Sequence, residues 1–217
     1  MDLGLSGRTA LITGASKGIG YAAAASLARE GCNVHIASRS EDALADAAKQ
    51  IREEFGVTAE YHVVDLSDGD TARALVETCK DVDILVNNAG AIPGGDIHDV
   101  DESNWRTAWD LKVFGYQNMC RAMLAVMRER QAGVIVNVIG AAGESPSPGY
   151  VAGSAGNASI MAMTRALGAT SPSYGVRVVG INPGLITTGR VEFLMRTKAE
   201  KELGDADRWR ELLSNTY

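Results

Sequence analysis

Six short apolar segments alternate with longer amphipathic segments along the chain, and this alternation constrains the fold more than any other feature. The apolar segments predict β-strands at Thr9–Thr13, Val34–Ser38, Tyr61–Asp65, Ile84–Asn87, Val134–Val138 and Val176–Ile181. Most are nearly continuous runs of Val, Ile and Leu, which is typical of parallel strands covered by helices on both faces. Strand–helix units of this kind join through right-handed crossovers. The sequence therefore predicts an α/β fold with a doubly wound parallel sheet.

The segments between the strands carry helical patterns. They predict helices at Ile19–Glu30, Glu41–Phe55, Asp70–Lys80, within Asn104–Arg130 and at Tyr150–Ala169. Gly31 and Gly56 follow two of these helices, as is common at helix C-termini. No repeat, low-complexity tract or linker interrupts the 217 residues. We therefore expect a single domain over residues 1–217 that includes a helical segment at about 188–217.

Composition and charge argue against several classes of function. The chain has 21 Lys and Arg against 27 Asp and Glu, a net charge of −6, whereas nucleic-acid-binding proteins normally carry a basic surface. No run of 18 apolar residues is present, so no membrane span is predicted. Cys32, Cys79 and Cys120 lie far apart without a C-x-x-C pair, so neither a disulfide framework nor a metal site is predicted. The N-terminus lacks a secretory pattern, and we expect a cytoplasmic protein.

The segment Thr13–Gly20 (TGASKGIG) joins the first predicted strand to the first predicted helix. Its three glycines, Gly14, Gly18 and Gly20, allow a tight turn and a close approach of the backbone to a pyrophosphate. The start of the next helix offers free N–H groups and the positive end of the helix dipole. A glycine pattern alone is weak, but this one lies between a strand and a helix, where phosphate binding requires it. The loop therefore predicts a dinucleotide site.

The G-x-x-x-G-x-G spacing of this loop resembles that of the short-chain dehydrogenase/reductase family, and further motifs follow in the family's order. Asp65-Leu66 follows the third strand, and Asn87–Gly90 (NNAG) ends the fourth. Asn182-Pro183-Gly184, with Thr188 beyond it, follows the sixth. The resemblance runs from about residue 5 to about residue 188. It implies a Rossmann fold, a nicotinamide cofactor and hydride transfer to or from a small alcohol or carbonyl substrate.

The resemblance also implies which residues contact the cofactor. They are Gly14, Ser16, Lys17, Gly18, Ile19, Gly20, Ser38, Arg39, Asp65, Leu66, Asn88, Ala89, Gly90, Tyr150, Asn157, Pro183, Gly184 and Thr188. An NAD-specific site usually has a carboxylate at the end of the second strand, but Ser38 and Arg39 stand there. Arg39, with Lys17 in the glycine loop, suits a 2′-phosphate, although both could be ordinary surface cations. We expect NADP(H), with NAD(H) as the alternative.

The family's catalytic side chains are matched only in part. The family uses a Tyr for proton transfer, a Lys four residues later, a Ser and an Asn. Tyr150 fits the first role, but Ser154 replaces the Lys and Gly140 replaces the Ser, with Ser145 and Ser147 as alternatives in the next loop. A cation about 5 Å from a phenol contributes roughly 3 kcal/mol, or about two pKa units, at an effective dielectric near 20. Without a replacement cation, Tyr150 would be a poor base at neutral pH.

Lys112 stands where the family has its Asn, and it is a candidate for that replacement cation. The other explanation is a lysine whose ammonium reaches solvent. Tyr150, Ser154 and Asn157 follow the i, i+4, i+7 spacing, so we expect them on one face of a helix. The predicted catalytic set is therefore Tyr150, Ser154 and Lys112.

Two functions follow from this pattern. One is an NADP(H)-dependent oxidoreductase; the other is a catalytically degenerate relative that binds cofactor and serves in sensing or partner binding. The chain ends before the place of the family's last strand and helix, so the sheet could lack both and leave the sixth strand at an edge. The segment at about 188–217 takes the place of the family's substrate lid. The helices around 104–130 and 150–169 are candidates for contacts in a homo-oligomer.

Overall fold

The computed structural model describes residues 2–186 and 188–214. The chain divides into two compact units at the Asn182–Pro183 bond. The first unit contains, in chain order, β1 (Thr9–Thr13), α1 (Gly18–Arg29), β2 (Asn33–Ser38), α2 (Glu41–Phe55), β3 (Ala59–Val63), α3 (Gly69–Thr78), β4 (Ile84–Asn87), α4 (Glu102–Trp109), α5 (Gly115–Glu129), β5 (Gly133–Val138), α6 (Val151–Thr170) and β6 (Val176–Ile181). The second unit contains α7 (Gly189–Leu203) and α8 (Trp209–Ser214).

The strands of the first unit form one parallel sheet in the order β3-β2-β1-β4-β5-β6. This is the Rossmann order, and it confirms the predicted doubly wound α/β fold. The chain reverses its direction of progress across the sheet between β1 and β4, which is where ligands bind at the carboxyl ends of the strands. β6 lies at an edge of the sheet, as expected, and Val179 and Ile181 are about half exposed there (47% and 53%).

The third strand begins and ends two residues before the predicted one. Its register with β2 begins with the pair Val34 and Ala59, and Ala59 is buried. Beyond the strand, the Asp65 carboxylate accepts hydrogen bonds from the backbone N–H and the hydroxyl of Ser67, at 3.0 and 2.8 Å. These bonds form a turn at Asp65, so Asp65 lies in the loop after the sheet. Alternation of apolar residues alone does not indicate such a turn.

The two largest apolar clusters of the core pack on opposite faces of the sheet. On one face, Ile12 and Ile36 pack with α1 and α2 through Ala24 and Leu44. The other face, which carries Leu11, packs with α3 and α5; the members of this cluster from α5 are Met119, Cys120, Met123 and Met127. The nearly continuous apolar character of the strands thus reflects burial on both faces, as the sequence predicts.

Two helices differ from their predicted form. The stretch predicted within Asn104–Arg130 is interrupted by a π turn at Asp110–Phe114 between α4 and α5. Helix α6 begins at Val151, one residue after the predicted start, because Tyr150 has φ −148° and ψ 44°, which are outside the helical range. Tyr150 is the N-cap residue of α6, and its carbonyl accepts the first helical hydrogen bond from Ser154 N–H.

The described part of the second unit contains the helices α7 and α8, joined by a short turn. Thr188 caps α7, since its hydroxyl accepts a hydrogen bond from the Val191 N–H at 3.3 Å. Arg196 joins α7 to the turn before α8 through ion pairs with Glu192 and Asp207. Within the described ranges 2–186 and 188–214, no helix is both long enough and apolar enough to cross a bilayer.

Candidate active site

The glycine loop between β1 and α1 is shaped by backbone conformations and contacts that only glycine allows. Gly14 and Gly18 have φ of +64° and +62°, in the left-handed region. A Cβ on Gly20 would lie 2.3 Å from the Gly14 carbonyl oxygen and 2.5 Å from the Asn88 amide nitrogen. Helix α1 begins at Gly18, and its N-cap residue Lys17 makes no side-chain capping bond. The start of α1 therefore keeps backbone donors of the kind that bind phosphate.

Asn88 and Thr13 hold this loop against the end of β4. The Asn88 side-chain amide donates to the carbonyls of Thr13 and Gly14, each at 3.1 Å. In return, the Thr13 hydroxyl accepts from the backbone N–H groups of Asn88 and Ala89, at 2.9 and 3.1 Å. The predicted residues Gly14, Asn88 and Ala89 are thus brought together at the point where the strand order reverses.

The ends of β2 and β3 carry the residues predicted to distinguish the two nicotinamide cofactors. Ser38 is half-buried, Arg39 is exposed and Leu66 is buried. The pKa of the Asp65 carboxyl is lowered by the hydrogen bond from the Ser67 N–H, by the Ser67 hydroxyl and by the charge of Arg39. Arg39 follows β2 and Asp65 follows β3, and these two strands pair in the sheet. A cation and a carboxylate therefore share this edge of the sheet.

Lys112 lies in the π turn and is buried, with 9% of its surface exposed. Its ammonium donates to the carbonyls of Val138 and Ile139, at 2.9 and 3.2 Å, and to the Tyr116 hydroxyl at 3.0 Å. The methylene stem covers Gly90, where an added Cβ would lie 2.4 Å from Lys112 Cδ. The explanation that Lys112 reaches solvent is therefore wrong, because three hydrogen-bond acceptors hold its ammonium group at the end of β5.

Tyr116 completes the environment of the buried ammonium. Its hydroxyl donates to the Val138 carbonyl at 2.7 Å, and its ring centroid lies 4.7 Å from Lys112 Nζ. Burial raises the pKa of Tyr116 well above its usual value, so the phenol stays protonated and keeps its donor. A π segment within a helix often occurs at a functional site, and this one supplies the buried cation.

The Tyr150 ring lies against the first turn of α6, over Gly153. A Cβ on Gly153 would lie 2.0 Å from Tyr150 Cζ, so the ring occupies the space that a side chain at position 153 would need. The ring also packs against an apolar cluster that contains Ile92 and Ala152. The Trp109 indole N–H donates to the Ala152 carbonyl at 3.0 Å and fixes α4 to the same turn. Glycine at 153 thus determines where the ring lies.

Ser154 and Asn157 are both buried on α6, with 6% and 4% of their surface exposed. The Ser154 hydroxyl accepts from the Ser147 N–H at 3.1 Å, which holds the loop after β5 against the helix. The Asn157 side chain fills the space at Gly140, where an added Cβ would lie 2.7 Å from the amide nitrogen. Because Tyr150 precedes the helix, the i, i+4, i+7 spacing describes only Ser154 and Asn157 as helical neighbours.

The remaining predicted residues belong to the second unit or to the loop after β5. Pro183, Gly184 and Thr188 belong to the second unit. Ser145 and Ser147, the alternatives to the absent family serine, are exposed in the loop after β5. Cys32, Cys79 and Cys120 are free and buried.

Residues 8–199 match the family described as short chain dehydrogenase. The chain belongs to this family. Among solved structures, L-sorbose reductase from Gluconobacter frateurii, in complex with NADPH and L-sorbose, is 31% identical, with a TM-score of 0.89 over 99% of this chain and 82% of that one. An NAD⁺-bound xylitol dehydrogenase is 27% identical, with a TM-score of 0.86 over 90% of this chain and 77% of that one. These neighbours support a nicotinamide cofactor, and they differ in which one they hold.

Among curated proteins, a 3-oxoacyl-(acyl-carrier-protein) reductase of Chlamydia trachomatis is 30% identical over 191 residues, which is 86% of this chain and 77% of that protein. The relatives of this short chain dehydrogenase are therefore oxidoreductases with different substrates. The family is shared, whereas the substrates named for these relatives differ.

Several groups at the candidate site were not predicted from the sequence. Beneath it, a buried polar chain links Asn87, Asn137 and Thr164 through hydrogen bonds of 2.9 Å each. Tyr116, the partner of Lys112, was also missed. Its position four residues after Lys112 is the one available signal, because i and i+4 side chains meet on a helix. The π turn itself has no comparable signature in a single sequence.

Proposed function

We propose that this protein is an NADP(H)-dependent oxidoreductase that transfers hydride between the nicotinamide and a small alcohol or carbonyl substrate. The observation that carries the proposal is the glycine cradle at the start of α1, with Arg39 instead of a carboxylate at the end of β2. The cradle fits a pyrophosphate because its left-handed glycines make a tight turn and the start of α1 keeps its backbone donors. A Cβ at Gly14 or Gly20 would clash with Ala89 or with the Gly14 carbonyl and displace the loop. Three free cysteines support a reducing compartment, and we propose the cytoplasm.

The residues proposed to hold the cofactor divide by the part they bind. Gly14, Ser16, Gly18, Ile19 and Gly20 surround the pyrophosphate. Lys17, Ser38 and Arg39 bind the 2′-phosphate, whereas Asp65 and Leu66 bind the adenine. Asn88, Ala89, Gly90, Tyr150 and Asn157 are proposed for the nicotinamide riboside, together with Pro183, Gly184 and Thr188 from the second unit. In the same proposal, the segment at about 188–217 serves as the substrate lid, and residues 1–217 work as one catalytic domain.

When bound, the nicotinamide supplies or accepts the hydride. The proton is the task of Tyr150. A tyrosine phenol in water has a pKa near 10, so proton transfer at neutral pH needs a positive charge nearby. We propose that the buried ammonium of Lys112 provides that charge. We also propose that Ser154 positions the part of α6 that faces the substrate. Lys112 suits this role because its charge is held in place by the carbonyls of Val138 and Ile139.

The test is consumption of NADPH by the purified chain with a panel of small ketones, aldehydes and ketoses. Turnover with at least one carbonyl is expected, and Tyr150→Phe should lower kcat/KM by about 10²–10⁴-fold, the usual contribution of a general acid. Tyr61→Phe is the matched control, because Tyr61 is exposed on β3, and it should keep the full rate. NADPH binding without turnover, or a Tyr150→Phe variant as fast as the wild type, would overturn the catalytic assignment.

A further inference from the structure

Two histidines and a cysteine meet on the face of the sheet that packs against α3, outside the candidate active site. Their ligand atoms all lie within 4.8 Å of one another. His35 Nδ1 lies 2.9 Å from His62 Nε2, and His62 Nε2 lies 3.5 Å from Cys79 Sγ. We propose that His35, His62 and Cys79 form a binding site for a divalent transition metal of the zinc type.

The fold brings these residues together from three separate elements. Residues two apart on a strand point to the same face, so His35 and Ala37 share one face of β2, and Glu60 and His62 share one face of β3. The register pairs His35 with Glu60 and Ala37 with His62. Cys79, the C-cap residue of α3, packs in the same cluster as Ala37. The three side chains thus converge because the sheet register and the end of α3 coincide.

The distances suit tetrahedral coordination. Zinc binds imidazole nitrogen at about 2.0–2.1 Å and thiolate sulfur at about 2.3 Å. At a tetrahedral centre these lengths separate two nitrogens by about 3.3 Å and a nitrogen from a sulfur by about 3.6 Å. The observed 2.9 and 3.5 Å differ from these values by a few tenths of an ångström. The ligand atoms of the third pair, His35 and Cys79, lie within 4.8 Å, so they have to approach by up to about 1.2 Å. Rotation of the half-buried imidazoles can supply this change.

Glu60 lies beside the three-residue cluster and is the nearest candidate for a fourth ligand. Its carboxylate oxygen Oε2 lies 3.7 Å from His35 Nδ1, and its exposed side chain can turn toward the cluster. Two imidazoles, one thiolate and one carboxylate are ligands that zinc accepts, and a thiolate with imidazoles selects against magnesium or calcium. The set therefore points to a borderline metal such as Zn²⁺.

A metal at this cluster has to displace two protons from their present positions. One is the Cys79 thiol proton, and the other lies between the facing nitrogens of His35 and His62 and has to move to another ring nitrogen. Cys79 is 2% exposed, whereas both imidazoles are half-buried and within reach from solvent.

The test is a titration of the full chain, freed of metal by a chelator, with Co²⁺ as a spectroscopic substitute for Zn²⁺. One equivalent of Co²⁺ per chain should give the visible bands of a tetrahedral site and a thiolate-to-metal band in the near ultraviolet. One equivalent of Zn²⁺ should then displace it. Zn²⁺ should also raise the thermal midpoint, since a ligand bound only to the folded state stabilises it.

Ligand and control variants make the result specific. Cys79→Ser should abolish the thiolate band, and His62→Gln should weaken binding by at least about 100-fold, more than outer-shell changes usually cause. Cys32→Ser and His98→Gln are the controls, because they remove the same side chains elsewhere in the chain, and both should keep one equivalent. Far-ultraviolet circular dichroism shows whether each variant is folded. Failure of the wild-type chain to bind Co²⁺ or Zn²⁺, or equal binding by both ligand variants, would overturn the proposal. Neither result bears on NADPH binding.

Discussion

The two halves of the candidate site depend on different kinds of interaction. The glycine loop between β1 and α1 depends on backbone conformation, and its glycines stand at the positions where the turn requires them. The region around α4–α6 depends instead on side chains from separate elements, with Lys112 held by β5 and the Tyr150 ring lying over Gly153. A local motif survives intact in the first half, whereas the second half departs from the family pattern and has its own packing. The proposed cofactor binding therefore depends on a local motif, whereas the proposed proton transfer depends on contacts between separate elements.

The largest difference between the two halves is expected from a side chain added within the glycine loop. Gly20→Ala places a Cβ 2.3 Å from the Gly14 carbonyl oxygen, so the loop has to move away from its phosphate-binding shape. We expect the Kd for NADPH to rise by more than about 100-fold, or roughly 3 kcal/mol, in a fluorescence titration. Gly149→Ala is the control, because no atom lies within 4 Å of its added Cβ, and it should bind NADPH as the wild type does. Equal affinity of both variants would contradict the cradle.

A charge reversal at the end of β2 tests the other side of the cofactor half. Arg39→Asp removes a cation next to Asp65 and should raise the Kd for NADPH by about 50-fold, on the order of 2 kcal/mol, as loss of a charge-assisted hydrogen bond predicts. The Kd for NADH should fall or stay constant, because NADH has no 2′-phosphate. Arg52→Asp would disturb a structural bond to Ala59, so Arg29→Asp on α1 is the better control. An unchanged Kd for NADPH would contradict the cofactor assignment.

The second half responds to loss of its buried cation. Lys112→Met keeps the stem over Gly90 but leaves the Ile139 carbonyl without its ammonium donor, which should cost about 2 kcal/mol of stability in urea unfolding. The Kd for NADPH should change by less than about threefold, since the cradle is untouched. Lys49→Met is the control, because Lys49 is exposed on α2 in a long ion pair, and it should change stability by less than about 0.5 kcal/mol. A variant as stable as the wild type would contradict the structural importance of the ammonium.

The smallest expected effect concerns the loop after β5. Ser154→Ala removes the acceptor for the Ser147 N–H and should lower stability by about 1 kcal/mol. Ser154→Thr retains the hydroxyl and should lose less. If Ser154→Ala also lowers kcat at a temperature where the variant is fully folded, the hydroxyl has a direct part in the reaction. Wild-type kcat together with wild-type stability would show that the hydroxyl has neither role.

Sequence reasoning succeeded where the physics is local. The strands from Thr9 and Ile84 were predicted with their observed bounds, because short runs of mostly apolar residues between helical segments indicate strands buried on both faces. The end of β3 was wrong, since Asp65 turns out of the sheet through bonds to Ser67. The first residue of α6 was also wrong, because the backbone at Tyr150 is not helical.

The rest depends on contacts between distant parts of the chain. Lys112 meets the Val138 carbonyl across 26 residues, and the His35–His62 pair joins two strands 27 residues apart. Residues separated this far along the chain form no short motif that a single sequence would show. The cluster of His35, His62 and Cys79 was not predicted for this reason, since Cys79 has no second cysteine nearby in the chain to indicate a site.

The most direct test of the central proposal is a fluorescence titration of the purified chain with NADPH and, in parallel, with NADH. We predict saturable binding of both or of NADPH alone, with NADPH bound at least about tenfold more tightly, because Arg39 and Lys17 face the 2′-phosphate in this proposal. Tighter binding of NADH, or no binding of either nucleotide, would contradict the proposal that the glycine loop and the end of β2 form an NADP(H) site.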